Sequence, residues 1–318
     1  MPHQTLRSAQ FLTMATATTL ALAACGQSAA APSGDATGAA KDTIVVAAVP
    51  AEESANLQSQ FDGINKELEK ATGKKVTFQQ ATDYAAIIEG QRAGKIDLAM
   101  YGPFSYVIAR DGGVPVDPVG ALIAKKGGAP GYYSMGWVRA DSPITDIQGF
   151  KGKKTCFVDK ASTSGYLYPS AGLLDAGIDP EKDITPIMAG GHDASMISVM
   201  SGQCDAGFAY EAMERQLIDK GTLRAGDVKS VWRSELIAGS PIAMNTKTLD
   251  AATQQQVRDT IITLGNQDAL VASGACASAD KCLLPEDAFG FVAVTDADYA
   301  GIRKVCDLTK AEACKAKG

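Results

Sequence analysis

Thr43-Ile44-Val45-Val46-Ala47-Ala48-Val49 is an unbroken apolar run, and with the segments after it this run decides the fold. A helical pattern covers about Asn56 to Ala71 and stops at Gly73, and Val76-Thr77-Phe78-Gln79-Gln80 is the next extended stretch. Asp83 can cap a helix running to about Arg92. Ile96-Asp97-Leu98-Ala99-Met100-Tyr101 is a third strand, and another helix follows Pro103. Strands apolar on both faces, alternating with helices, predict a parallel sheet covered on both sides.

Working outward, Val119–Ala124 and Tyr132–Val138 are extended, and then the rhythm restarts. Thr155–Val158 is a strand, Ser164–Ala176 a helix, and Ile184–Met188 a strand whose internal Pro186 places it near an edge. A helix from Asp193 to Ser201 leads into the strand Asp205–Tyr210, and another helix begins near Glu211. Val228–Arg233 and Pro241–Met244 are extended, and Leu249–Leu264 is a long amphipathic helix. Two α/β units joined without a break in composition predict two lobes, the second inserted into the first. Residues 42–138 with 239–318 form lobe one and 139–238 lobe two, each a central, mostly parallel sheet flanked by helices.

The chain of 318 residues is 46% hydrophobic, too apolar for a disordered chain, and its net charge of −6 excludes a basic nucleic-acid binder. With 30 Lys+Arg against 36 Asp+Glu, any bound anion must be held by local devices rather than by bulk attraction. Only His3 and His192 are available for histidine chemistry.

The N-terminus reads as an export signal. Arg7 precedes a threonine-diluted apolar stretch from Phe11 to Ala24, and Leu22-Ala23-Ala24-Cys25-Gly26 has the form of a lipoprotein cleavage box. This predicts a signal peptide over 1–24, a lipidated Cys25 and a flexible linker to residue 41; ordinary secretory cleavage at the same small residues is the alternative. The stretch is too short and too polar for a transmembrane helix, which needs about 20 apolar residues. Six cysteines remain, and an even number in an exported chain favours disulfides. Six allow 15 connectivities; locality favours Cys276–Cys282 and Cys306–Cys314, leaving Cys156–Cys204. Without any Cys-x-x-Cys pair, zinc is disfavoured, and no metal or other cofactor is called for.

Ala161-Ser162-Thr163-Ser164-Gly165 is the stretch richest in chemistry: three hydroxyls and a glycine follow a strand and open a helix. A helix start presents unpaired N–H groups at the positive end of the dipole, and adjacent hydroxyls add neutral donors for one small oxyanion. Plain capping accounts for one hydroxyl but not for three. Gly190-Gly191-His192-Asp193 is a similar strand-to-helix turn, where His192 could donate to an anion or simply cap. Tyr84 and Tyr101 stand at two more such transitions, the places where open α/β sheets form their ligand crevice. Asp205 and Glu211 bracket a strand and are secondary candidates, able to accept from a protonated oxyanion or to serve as caps; Glu52 and Glu53 are weaker still. The nucleophile-elbow, P-loop, dinucleotide and zinc-protease motifs are all missing, so catalysis is disfavoured.

Four motifs occur in order: Asp83-Tyr84-Ala85-Ala86-Ile87-Ile88-Glu89, Ile96-Asp97-Leu98-Ala99-Met100-Tyr101-Gly102-Pro103, Ser162-Thr163-Ser164-Gly165-Tyr166-Leu167-Tyr168-Pro169 and Ala189-Gly190-Gly191-His192-Asp193-Ala194-Ser195. Over residues 43 to 265 the chain thereby resembles the periplasmic binding components of phosphonate, phosphite and phosphate ABC transporters, the PhnD-like family. The resemblance implies a type II periplasmic-binding fold with the ligand between two lobes. It also implies a phosphorus group held by Ser162, Thr163, Ser164 and His192 from lobe two and by Tyr84 and Tyr101 from lobe one. Aminophosphonate-binding members carry an acidic residue in the returning segment, which here reads Ala238-Gly239-Ser240-Pro241; phosphite, phosphate or a small alkylphosphonate therefore fits better. The implied partners are that oxyanion, an ABC permease with its ATPase, and a membrane surface through the lipid anchor, the protein acting as a monomer in the periplasm or at the cell surface. An oxyanion sensor of the same fold, signalling to a membrane receptor or histidine kinase, is the alternative; a periplasmic phosphoesterase would need a nucleophile or metal that the sequence does not offer.

Overall fold

The computed structural model describes residues 41–51 and 54–315; the predicted signal peptide, Cys25, the linker up to residue 40, and Glu52 and Glu53 lie outside them. The first sheet is built from β1 (Thr43–Ala48), β2 (Lys75–Gln79), β3 (Leu98–Met100) and β4 (Val116–Ile123). Between them run α1 (Ser54–Ser59), α2 (Asp62–Thr72), α3 (Tyr84–Arg92) and α4 (Pro103–Asp111). The short β5 (Gly131–Tyr132) leads to a second sheet of β6 (Ser134–Arg139), β7 (Lys154–Phe157), β8 (Thr185–Met188), β9 (Ala206–Tyr210) and β10 (Val228–Arg233). Its helices are α5 (Tyr168–Asp175), α6 (His192–Met200) and α7 (Met213–Asp219). The equally short β11 (Ile237–Ala238) brings the chain back to β12 (Pro241–Asn245), α8 (Ala251–Leu264), α9 (Gln267–Ala272), β13 (Gly290–Val292) and α10 (Ala300–Thr309).

The sheet orders are β13-β4-β12-β3-β1-β2 and β10-β6-β9-β7-β8. Alternation along β1 shows why the sequence run is apolar throughout. Ile44, Val46 and Ala48 face Phe61, Ile64 and Leu68 of the α2 segment and Val257 and Ile261 of α8. Ala47 instead joins Tyr84, Ile87 and Ile88 of α3 and Phe104 and Val107 of α4. Period-2 side chains buried on both faces are what a sheet between two helical layers requires. Pro186 lies in β8, an edge strand as its sequence predicts, where the missing N–H leaves no rung broken.

Three expectations are corrected. Neither sheet is mostly parallel throughout: β1 pairs in parallel with β2 and β3, but β12 is inserted antiparallel between β3 and β4, and β6 lies antiparallel to both β9 and β10. Two of the reversed strands, β6 and β12, adjoin the crossings, where a chain entering a sheet from the other lobe runs against the strands already there; the third, β13, closes the far edge antiparallel to β4. For the same reason β6, read from sequence as the end of lobe one, belongs to the second sheet, and the crossing is the antiparallel pair β5 and β11, with Ile237 opposite Tyr132. The helix predicted from about Asn56 to Ala71 is two helices that part before α2, where Phe61 is fully buried. Gly73 ends α2 in the left-handed conformation (φ 65°), as a C-terminal glycine should. Disulfides join Cys156 to Cys204, Cys276 to Cys282 and Cys306 to Cys314.

Candidate anion-binding site

The site begins where β7 ends. Ser162 has extended backbone and caps the next turn of chain, its Oγ accepting from Gly165 N at 3.1 Å. That turn is wider than an α-helix: Leu167 N donates to Ser162 O at 3.0 Å and Tyr168 N to Thr163 O, each bond reaching back five residues. Pro169 gives a local reason. It has no N–H to offer Gly165 O, and that carbonyl accepts instead from Val158 N at 3.0 Å. The wide turn leaves the first N–H groups, those of Thr163 and Ser164, without partners inside it. Gly165 is obligatory, since a Cβ there would stand 2.3 Å from Val158 Cγ2.

Two of the three hydroxyls therefore do structural work as well. Ser162 caps, and Thr163 Oγ1 accepts from Phe104 N, at the start of α4 in the first lobe, at 2.8 Å. Ser164 is fixed through its carbonyl, which accepts from Ser134 Oγ at 2.6 Å, leaving its own hydroxyl out of the capping arrangement. All three are at most 2% exposed.

His192 opens α6, and its N–H donates across to Ala51 O at 2.8 Å, just beyond β1. Its ring lies edge-on to Tyr210, and Nδ1 accepts from Tyr210 N at 3.3 Å. Burial pushes its pKa down to about 3, so the ring is neutral at physiological pH. With Nδ1 accepting, the proton sits on Nε2, and the ring's free edge is a donor.

From the first lobe, Tyr84 is buried at the start of α3; burial raises its pKa far above the usual phenol against the pull of the Ser162 hydroxyl, and Asp159, Glu286 and Asp193 add to the rise. Asp159 is itself raised by burial, and it accepts from Ala161 N at 2.7 Å.

Sequence reading missed Tyr132. It stands in the crossing strand β5; burial first and then the nearby Glu286 charge raise it far above the phenol range, while the hydroxyls of Ser164, Thr163 and Ser240 pull the other way. The sequence reads as one extended stretch from Tyr132 to Val138; the structure instead separates Gly131–Tyr132 as β5, which pairs with β11.

Tyr101 is completely buried, and its hydroxyl has no partner. The charges bearing on it are Arg92 and Glu89 of α3, whereas carboxylates bear on Tyr84, and it is the following Gly102 and Phe104 that approach Thr163 of the turn. Asp205 is at the wrong end of its strand. Its Oδ2 accepts from Lys154 N at 2.9 Å, beside the start of β7, roughly 13 Å of strand away from the turn. Glu211 leaves β9 at the correct end but is exposed at the rim, its N–H bonded to Tyr133 O and its pKa raised by burial against the pull of Arg233.

The hydroxyl-rich turn after β7 and the turn that opens α6 with the neutral His192 thus leave the same end of two parallel strands, with Thr163 reaching α4 of the first sheet. Among the hydrogen bonds of the described residues, no lysine or arginine reaches them. Neutral donors of this kind can surround a desolvated anion without reacting with it, as the work of a two-lobed solute-binding protein requires.

Comparison with known proteins agrees. Residues 46–299 match the family described as ABC transporter, phosphonate, periplasmic substrate-binding protein. The chain is 48% identical over 288 residues to the phosphate-import protein PhnD of Mycolicibacterium smegmatis, covering 86% of this chain and 88% of that one. It is 30% identical to the phosphonates-binding periplasmic protein of Escherichia coli K12, over 68% of this chain and 64% of that one. The binding component of an ABC phosphonate transporter from Pseudomonas aeruginosa superposes with a TM-score of 0.73 at 26% identity, covering 84% of this chain and 86% of that one. PhnD1 of Prochlorococcus marinus, solved with methylphosphonate, superposes with a TM-score of 0.70 at 22% identity over 85% of this chain and 99% of that one. The chain belongs to the phosphonate-type periplasmic substrate-binding family and has its type II binding-protein fold. Its role is that of a solute-binding component of an ABC transporter, a class that binds and delivers rather than catalyses. No described helix is long and apolar enough to cross a membrane.

Proposed function

We propose that this protein captures a small phosphorus oxyanion (phosphate, phosphite or a small alkylphosphonate) and hands it to an ABC permease driven by its ATPase. The observation that carries this reading is the buried Ser162–Ser164 turn, with Thr163 in contact with α4 and Tyr84 in contact with Ser162. Its donors come from both lobes, so bound ligand favours the closed arrangement and shifts the population toward it. Ser162, Thr163, Ser164, His192 and Tyr84 hold the oxygens, joined by Tyr132; Tyr101 supports the first-lobe wall. The lobes divide at the β5 and β11 crossing, which serves as the hinge. Cys25 carries the lipid anchor that keeps a monomeric protein outside the cytoplasm, with residues 26–41 as tether. The names of the relatives support the ligand class, since they are called phosphate-import and phosphonates-binding proteins.

Calorimetry of the purified protein against phosphate, phosphite, methylphosphonate and 2-aminoethylphosphonate tests the proposal. Submillimolar binding of at least one is expected, weakened about tenfold in Ser164→Ala by loss of one charge-assisted hydrogen bond. No binding of any of them refutes it.

A further inference from the structure

Arg215 of α7 and Asp287 belong to different lobes, and Arg215 Nη2 donates to Asp287 Oδ2 at 2.6 Å. Each partner is fixed in its own lobe. On α7, Met213 and Leu217 are buried among Met196, Ala209 and Tyr210 of the second lobe, so Arg215 moves with that lobe. The turn that carries Asp287 is embedded in the first, where Cys282, Leu284 and Ala288 pack with Ile44 and Leu98 of its sheet. By contrast, Lys126 pairs with Asp268 inside the first lobe and Lys151 with Asp183 inside the second.

The turn itself is strained. Glu286 and Asp287 both have left-handed backbone, with φ of 58° and 56°, and neither is glycine. Such conformations persist only where their surroundings over-determine them. Here Ala288 N donates to Pro285 O at 3.1 Å, and Glu286 Oε1 accepts from Ser240 Oγ of the returning segment at 2.6 Å. Asp287 is therefore presented to Arg215 with little freedom left to lose, unlike an ordinary surface carboxylate. Two other bonds cross between the lobes, Phe104 N to Thr163 Oγ1 and His192 N to Ala51 O, and both involve residues of the anion site. The Arg215–Asp287 pair faces solvent, so it can act on closure without touching the ligand.

We propose that Arg215 and Asp287 form an interlobe latch: closure brings the guanidinium onto a preset carboxylate, and opening has to pull it off. This inference rests on the two-lobed oxyanion-capture reading above and adds to it a pair that sets how firmly the closed state is held. Bound ligand favours closure, so whatever stabilises closure strengthens every ligand by the same factor. For an exposed ion pair that factor is about two to five, and salt screens it.

The test is calorimetry of the full chain with phosphate and methylphosphonate at about 0.01 M and about 1 M NaCl. It compares wild type, Arg215→Gln, Asp287→Asn and the double variant, with thermal midpoints of each ligand-free protein. Glutamine keeps much of the arginine stem, and asparagine tolerates left-handed backbone as aspartate does, so each change removes chiefly a charge. At low salt each single variant should weaken both ligands by the same factor of about two to five, and the double variant should be no weaker than a single one. At high salt the four proteins should bind alike, and the ligand-free midpoints should coincide throughout. Should Asp287→Asn fail to fold, Arg215→Gln alone gives the salt-dependent readout. Unchanged affinities at low salt, or losses that add in the double variant, overturn the latch. So does a loss confined to one ligand, which would put Arg215 on the ligand, or a midpoint that falls in both single variants, which would make the pair a prop of the fold. Wild type that binds neither anion sinks the parent proposal and the latch with it, whereas variants that match a binding-competent wild type sink the latch alone.

Discussion

His192 offers a quantitative test of the site's electrostatics. The ring is 3% exposed, and its Nδ1 lone pair is already engaged by Tyr210 N. Protonation would place an unsolvated charge in the cleft and break that bond, which is why burial lowers the pKa from 6.5 to about 3. The unfolded chain takes up the proton near pH 6.5 and the folded chain only near pH 3, so between them the unfolded state holds more protons. Stability contributed by His192 is therefore complete above about pH 6.5 and declines as the pH falls. At about 1.4 kcal/mol per pH unit, acidification from about pH 6.5 to about pH 5 removes about 2 kcal/mol through this one group.

Urea unfolding of the ligand-free protein in buffers without oxyanions measures it, comparing wild type with His192→Asn. Asparagine keeps an acceptor for Tyr210 N but does not titrate, and carboxylates common to both proteins cancel in the comparison. Wild type should lose about 2 kcal/mol more than the variant between about pH 7 and pH 5. Parallel losses would refute the reasoning and place His192 in contact with water.

Other consequences arise from the same geometry. Gly165→Ala drives a methyl into Val158 and should cost about 1–3 kcal/mol of unfolding free energy, read as a lower urea midpoint, while abolishing ligand binding. Ser162→Ala removes the cap on Gly165 N and should lower stability by about 1 kcal/mol, so a binding defect there is not purely a contact defect. Asp205→Asn should leave ligand affinity within twofold by calorimetry, because its carboxylate serves Lys154 N at the far end of the sheet. Opening the Cys156–Cys204 link, 48 residues apart, by replacing both with alanine should cost about 4 kcal/mol on chain-entropy grounds, read as a lower urea midpoint at unchanged ligand stoichiometry.

The fold was legible in sequence wherever one residue pattern had one physical meaning. The apolar β1 run could be stable only with both faces covered, and Pro186 could be accommodated only near an edge. Gly73 closes α2 as predicted because a left-handed cap suits a residue without Cβ. Strand direction was harder to read. β6 and β12 look like any buried strand, and their reversal depends on the lobe from which the chain arrives.

The same division runs through the site. From the acidic balance alone, any bound anion needs local donors, and the residue pattern offers Ser162–Ser164 and His192 as candidates, since strand-to-helix turns expose N–H groups whatever surrounds them. It offered Asp205 on equal terms with Glu211, because spacing along a strand does not say which end faces a ligand. Only the tertiary structure put Asp205 beside Lys154, gathered Tyr132 through the β5 and β11 pairing, and brought Glu286 onto Ser240. Those contacts join segments dozens of residues apart, and local propensity, which acts over a few residues, cannot bring such segments together.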